Sequence, residues 1–277
     1  MLQLDTPLRK AAAIAAAAIM LSVAWPQQLL TAPLPSTVAL KDMTWVEVRT
    51  AIQSGYTTVI VPTGGIEQNG PHMILGKHDV IVSQAADSIA RTVGQTLVAP
   101  VVSFVPQGNY DPPTGHLRFP GTIGVPEPVF AATLDGIARS LKAGGFTTIV
   151  FIGDHGTSQP VQKAVAGRLT SEWAGTGVRV VTIDAYYDDK AQIQQLLAQG
   201  QTRDTIGQHA SIIDSSELMS IAPNGVDLSR YRKISIGLEP TGITGDPSAA
   251  TPQLGKTLLA MRIEAASAAI KALLATQ

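Results

Sequence analysis

The chain of 277 residues contains no cysteine. This absence excludes disulfide bonds, thiolate zinc sites and a cysteine nucleophile, so a metal site would have to use histidine, aspartate and glutamate. Charge is also scarce, because only 15% of the residues are charged and the net charge is −1. Since the chain has no basic run, we expect no nucleic-acid partner.

Three common functional signatures are also missing. The chain has no G-x-S-x-G nucleophile elbow, no P-loop and no G-x-G-x-x-G dinucleotide motif. Serine hydrolases and nucleotide-binding enzymes therefore lack support from the sequence.

The N-terminus carries a short apolar run, "AAAIAAAAIMLSVAW", directly after Arg9 and Lys10. A basic start followed by an apolar run too short to span a bilayer is typical of a secretory signal, and the alternative is a buried N-terminal helix. We expect residues 1–35 to lie outside the fold, with cleavage near Ala32. The mature protein would then be periplasmic or secreted, with no stable membrane anchor.

Strand and helix patterns alternate over the rest of the chain. Continuous apolar runs predict strands at 56–62, 96–105, 147–153, 178–184 and 231–238, with helices between them and a long helix at the C-terminus. Alternating elements with apolar strands indicate a mostly parallel sheet covered on both faces. We predict one α/β domain over residues 36–277, with three α/β/α layers.

All five histidines fall in predicted loops, several of them directly after strands. Because ligands of open parallel sheets bind beyond the carboxyl ends of the strands, these loops predict a shared polar site. The carboxylates available to it are Glu67, Asp79, Asp154 and Asp214. Two imidazoles and one carboxylate suit a catalytic zinc ion, and manganese or iron accept the same ligands.

Five blocks of the chain, taken in order, resemble the creatininase (creatinine amidohydrolase) family. These blocks are "VPTGGIEQNGPHMILGKHD", "GNYDPPTGHLRFPGTI", "FIGDHGTSQ", "HASIIDSSELM" and "GITGDPSAATPQLG". The resemblance implies a three-layer α/β fold, metal-dependent hydrolysis of C–N bonds in a small amide, and a homo-oligomer, often a hexamer.

The resemblance also implies two metal sites, onto which this chain maps incompletely. The ligands of the first site fall on Glu67, His78 and His155, and those of the second on Asn69, His78 and Thr157. One inserted residue would make Asp79, rather than His78, the match to the family's bridging aspartate. Because an amide and a hydroxyl are weak replacements for ligands, we predict one metal ion rather than two.

Four further residues receive roles from their positions in these blocks. We expect Asp214 or His209 to handle the proton of water, with Asp214 alternatively a metal ligand or a helix N-cap. His116 and His72 are predicted near the substrate, although His72 could instead be a hydrogen-bond partner behind the ligands. Asp79, if it is not a ligand, would orient His78 or cap the helix that begins there.

Together these features predict an exported metal-dependent amidohydrolase whose substrate is not creatinine, because Ile212 and Thr157 depart from the family's pattern. The alternative is a non-catalytic periplasmic metal- or ligand-binding protein that kept the fold and lost the second metal site.

Overall fold

The computed structural model describes Leu34, residues 36–232 and residues 241–276. The predicted signal segment apart from Leu34, and residues 233–238 of the last predicted strand, lie outside the described residues. Tyr231 and Arg232, the first two residues of that predicted strand, are not in a strand.

A parallel sheet forms the centre of the fold. It contains β1 (Thr58–Thr63), β2 (Thr96–Val98), β3 (Thr148–Gly153) and β4 (Arg179–Thr182), in the order β2-β1-β3-β4. Every residue of β1 and β3 is buried, which explains why no charged residue occurs in either strand and why their centres are apolar. In register, Ile60 lies opposite Val98 on one side and Val150 on the other.

Helices cover both faces of the sheet. They are α1 (Trp45–Gln53), α2 (Lys77–Val93), α3 (Glu127–Ala143), α4 (Ser158–Glu172), α5 (Asp184–Tyr187), α6 (Lys190–Ala198), α7 (Arg203–Ile206), α8 (Ile212–Ile221) and α9 (Pro252–Leu274). Successive residues of a strand point to opposite faces. Accordingly, Val59 packs in a core with α3 and α4, whereas Ile60 packs in a second core with α2 and α9. The predicted three-layer α/β/α fold is confirmed.

Two predicted boundaries differ from the structure. The predicted strand 96–105 ends at Val98 as β2. Beyond it the N–H groups of Ala99 and Val102 bond to Ile60 and Pro62, so three residues on this side pass two on β1 and the regular ladder is interrupted. Helix α2 begins at Lys77 rather than at Asp79, with Gly76 as its N-cap.

No helix in the part of the chain that the structure describes combines the length and apolarity needed to cross a membrane.

Candidate metal centre

The candidate site lies beyond the carboxyl ends of the strands. Glu67 follows β1, His116 lies in the long loop after β2, and His155 follows β3. His209 and Asp214 come from the loop before α8 and from its first turn. These side chains line one cavity of about 330 Å³. The order of strands and loops along the chain predicted which loops meet there, but not the cavity itself.

Glu67 is the centre of this cluster and is completely buried. One carboxylate oxygen, Oε1, is 2.7 Å from Nε2 of His78, and the other, Oε2, is 2.5 Å from Nε2 of His155. His116 Nε2 lies 3.6 Å from Oε2, and His209 Nδ1 lies 3.5 Å from Oε1. Burial acts to raise the pKa of Glu67, but His78 and His155 together hold it well below its usual value. The group is therefore a carboxylate with imidazoles directed at both oxygens.

Three of these residues form the one compact group of candidate ligands found within residues 36–232 and 241–276. Single ligand atoms of Glu67, His116 and His155 all lie within 4.8 Å of one another. One carboxylate and two imidazoles are a donor set that zinc and related divalent ions accept. The structure thus places His116, which the sequence assigned to the substrate, among the candidate ligands.

Thr157 orients His155 for such a role. The Thr157 hydroxyl donates its proton to the carbonyl oxygen of Pro106 at 2.5 Å, so at 2.8 Å from His155 Nδ1 it acts as an acceptor. Nδ1 of His155 then carries a ring proton, as it does in a histidine that ligates a metal through Nε2, whereas here Nε2 faces Oε2 of Glu67.

His78 is held between two carboxylates. Its Nε2 faces Glu67, and its Nδ1 lies 2.7 Å from Oδ2 of Asp154. Burial and the charge of Lys77 act to lower the pKa of His78, but Glu67 and the bond to Asp154 raise it to about 9. Asp154 in turn accepts from the Tyr186 hydroxyl at 3.0 Å and from Arg262 at 2.5 Å. The role of His78 as a metal ligand stays a prediction.

Gln68 positions the remaining two rings. Its Oε1 accepts from the N–H of Gly70 at 2.9 Å, which turns the amide nitrogen towards His116 Nδ1 at 2.9 Å. Its backbone carbonyl oxygen accepts from His209 Nε2 at 3.0 Å, so neutral His209 carries its proton on Nε2 and a lone pair on Nδ1. Burial lowers the pKa of His116, and burial with the charge of Lys77 lowers that of His209 to about 3. Both imidazoles are therefore neutral at neutral pH.

Asp214 and Lys77 form an ion pair on the cavity wall. Oδ2 of Asp214 accepts from Lys77 Nζ at 2.8 Å and from the N–H of Ala210 at 2.7 Å. Burial acts to raise the pKa of Asp214, but Lys77 and the neighbouring histidines hold it below its usual value. The alternative that Asp214 caps α8 is wrong, because Ser211 is the N-cap residue and Asp214 lies in the first turn.

Asn69 uses its side chain to stabilise the loop that carries Glu67. Its amide nitrogen donates to the carbonyl oxygens of Glu67, Ile74 and Leu75 at 2.9, 3.0 and 3.4 Å. The amide nitrogen of Asn69 and the hydroxyl proton of Thr157 are thus used in hydrogen bonds to backbone carbonyl oxygens, and the number of metal ions stays a prediction.

Two predicted site residues do not line the cavity. Asp79 accepts from the N–H of Gly65 at 2.9 Å and borders a separate groove beside α2, so it neither caps the helix nor contacts the imidazoles of the cluster. His72 is buried with Nε2 at 3.0 Å from the Ser215 hydroxyl, and burial lowers its pKa to about 4. A contact of His72 with substrate is not supported by this position.

Several charged or polar residues of this cavity were not predicted from the sequence, among them Lys77, Tyr187 and Arg262. Lys77 lies inside the first motif block, where its position beside His78 was a usable signal. Tyr187 follows the end of β4, and Arg262 reaches the cavity from the middle of α9. No local pattern marks Arg262, because it lies 108 positions along the chain from its partner Asp154.

Comparison with known proteins decides the family. The model of the creatininase family, described as creatinine amidohydrolase, matches residues 41–270. The chain belongs to the creatininase family. Creatinine amidohydrolase of Pseudomonas putida is 26% identical over 199 residues, which are 70% of this chain and 75% of that protein. The mycofactocin precursor peptide peptidase of Mycolicibacterium smegmatis is 27% identical over 227 residues, 77% of this chain and 84% of its own.

Solved creatininases share the fold. A crystal structure of creatinine amidohydrolase superposes with a TM-score of 0.72 at 22% identity, covering 85% of this chain and 97% of that chain. Other solved creatininases are described as a manganese form and a zinc–zinc form. The predictions of this family, its fold and a metal-dependent hydrolase are thereby confirmed.

Proposed function

We propose that this creatininase-family chain is an exported amidohydrolase that uses one divalent ion to cleave a C–N bond in a small amide, lactam or formamide-type substrate other than creatinine. The observation that carries the proposal is the ionised Glu67 carboxylate, completely buried yet facing an open cavity through imidazoles on both oxygens. The relatives named as an amidohydrolase and a peptidase support hydrolysis of this bond class.

The residues present fit a divalent ion. Glu67, His116 and His155 would hold it, and His78 is the alternative imidazole on the same carboxylate. When bound, zinc, manganese or iron lowers the pKa of water and polarises a carbonyl. The proton of His155 on Nδ1, directed at Thr157, supports ligation through Nε2.

Among the residues predicted to move protons, His209 is the better acceptor. Asp214 stays ionised beside Lys77, and such an acidic carboxylate accepts a proton poorly, so it serves to anchor Lys77. Burial and the charge of Lys77 lower the pKa of His209 to about 3, so the case for His209 is geometric: a proton taken up at Nδ1 would face Glu67 Oε1 at 3.5 Å, which stabilises the imidazolium. The ring is held in place through its Nε2, 3.0 Å from the carbonyl oxygen of Gln68.

The cavity indicates a small polar substrate. Its volume of about 330 Å³ is near the lower end for ligand sites. Its wall includes Arg262, Tyr187 and Asp189 besides the histidine cluster. Such a wall favours a substrate with hydrogen-bonding groups around the amide over an apolar one.

The test measures metal content and amine release on the same samples. Protein loaded with zinc or manganese is assayed on lactams, formamides and small peptides, before and after chelation. We expect activity that chelator removes, and Glu67→Gln to lose both the metal and at least about 100-fold in rate. Glu264→Gln, an exposed glutamate on α9, is the matched control and should keep both. Turnover that survives complete removal of metal would refute the proposal.

A second candidate is a non-catalytic metal-binding protein with this fold. The observation that favours it is that the Asn69 amide nitrogen and the Thr157 hydroxyl donate to backbone carbonyl oxygens at two positions where the family resemblance implies metal ligands. Metal uptake that Glu67→Gln abolishes, without amine release from any substrate of the panel, would identify this function instead.

Export, a single domain over residues 36–277 and a homo-oligomer belong to the same proposal. Export is supported by the basic and apolar composition of residues 1–35. N-terminal sequencing of protein recovered outside the cytoplasm should begin near Ala32, and light scattering should give a mass above the 29.0 kDa of one chain.

A further inference from the structure

Lys77 is a buried cation that the proposed reaction does not use. Its side chain is only 1% exposed, and Nζ lies 2.8 Å from Oδ2 of Asp214 and 3.9 Å from Oε1 of Glu67. An ammonium group is rarely buried without a purpose, because removing it from water is costly unless carboxylates surround it. Here the carboxylates belong to the candidate site itself.

The charges around the cavity leave a specific place for this cation. Arg262 neutralises Asp154 at 2.5 Å and also lies 3.5 Å from Glu217. Lys77 lies between Glu67 and Asp214, and Nε2 of His78 also faces Oε1 of Glu67 at 2.7 Å, while Asp189, half-buried, adds a further carboxylate to the wall. One ammonium is therefore shared by two carboxylates of the centre.

The atoms that face this position would also suit a metal. Lys77 Nζ contacts Oε1 of Glu67 and Oδ2 of Asp214, and His209 Nδ1 lies 3.5 Å from the same Oε1. Two carboxylates and an imidazole form a donor set for a divalent ion. Glu67 offers its second oxygen, Oε2, to His116 and His155 on the other side.

We propose that Lys77 is a built-in cation that fills a latent second divalent-cation site formed by Glu67, Asp214 and His209, and so limits the chain to one metal ion. The ammonium supplies, without exchange with solvent, the positive charge that these carboxylates would otherwise recruit. This inference rests on the proposed function only in that Glu67 holds the first ion through Oε2.

The test counts metal ions rather than turnover. Wild type, Lys77→Ala and Lys77→Arg are dialysed to equilibrium against Mn²⁺ or Zn²⁺, and bound metal per chain is measured by mass spectrometry. We expect one equivalent in wild type and Lys77→Arg, and two in Lys77→Ala. Lys163→Ala is the control, because it removes an exposed lysine paired with Asp184 at 2.8 Å and should leave one equivalent.

A second variant assigns the extra ion to its ligands. Adding Asp214→Asn to Lys77→Ala should remove the additional equivalent and keep the first. Persistence of the extra ion in this double variant, or equal metal content in Lys77→Ala and Lys77→Arg, would overturn the inference. If Lys77→Ala fails to fold, Lys77→Thr replaces it with the same expectation, because its short side chain also vacates the position of the ammonium.

The outcomes separate this inference from the proposed function. If wild type binds one ion but hydrolyses no amide, the proposed enzymatic function is refuted. The role of Lys77 is then still decided by comparing the metal content of Lys77→Ala with that of Lys77→Arg. Wild type without metal, with one equivalent gained in Lys77→Ala, would support the role of Lys77 and refute the metal-dependent enzyme.

Discussion

Glu217 on α8 provides the sharpest test of the electrostatics behind the site. Its carboxyl is completely buried, and Oε1 accepts from Gln192 Nε2 at 2.7 Å. The nearest charge is Arg262, with Nη2 at 3.5 Å from Oε2. Burial outweighs the attraction of Arg262 and, with the repulsion of Asp154 and Asp214, raises the pKa of Glu217 from 4.5 to about 7.

This pKa has a calculable consequence for stability. A rise from 4.5 to about 7 corresponds to about 3 kcal/mol, because each factor of ten in proton affinity is worth about 1.4 kcal/mol. The folded state binds this proton more tightly than the unfolded state. The contribution is therefore fully present below pH 4.5 and is lost as the pH rises through about 7.

Glu217→Gln removes this dependence and keeps an oxygen that can accept from Gln192. We expect the free energy of unfolding of the variant, relative to wild type, to rise by about 3 kcal/mol between pH 4.5 and about pH 8. Urea unfolding followed by circular dichroism, with chelator present at every pH, measures the difference. Glu264→Gln should instead run parallel to wild type. Parallel curves for Glu217→Gln would refute the reasoning, since they would mean that Arg262 keeps Glu217 ionised throughout.

Two further predictions concern the groups that hold the site in place. Tyr186→Phe removes the 3.0 Å hydrogen bond to the Asp154 carboxylate and should lower the free energy of unfolding in urea by about 2 kcal/mol. The control Tyr110→Phe loses an exposed hydrogen bond to a carbonyl oxygen and should lower it by less than about 0.5 kcal/mol. Gly64→Ala should lower the melting temperature and lower the free energy of unfolding by about 2 kcal/mol or more. The reason is that the alanine Cβ would lie 2.0 Å from Oδ1 of Asp79 and 2.9 Å from the Asp79 Cα. A melting temperature equal to that of wild type would show that this contact relaxes freely.

The sheet and the location of the site were predictable because both depend on local pattern. The central residues of β1 and β3 are apolar and largely β-branched, and such short apolar runs read as buried parallel strands. His116 and His155 follow strands, so the topology alone brings them to one edge.

The choice between His78 and Asp79 could not be made from the sequence. It depends on where α2 begins, and successive helical residues point about 100° apart. With Lys77 as the first helical residue, His78 faces Glu67 and Asp79 turns to the N–H of Gly65. The role of Arg262 could not be predicted for another reason. Its contact with Asp154 depends on how α9 packs and not on the residues next to it in the sequence.

The amide of Asn69 has a consequence for any attempt to engineer a two-metal centre into this chain. A histidine at this position has at most one N–H per ring nitrogen and cannot bridge the carbonyl oxygens of Glu67, Ile74 and Leu75 together. Installing the ligand alone would thus loosen the segment that aims Glu67. The order of substitutions matters, and the segment from Gly70 to Leu75 would have to be rebuilt before the new imidazole could be useful.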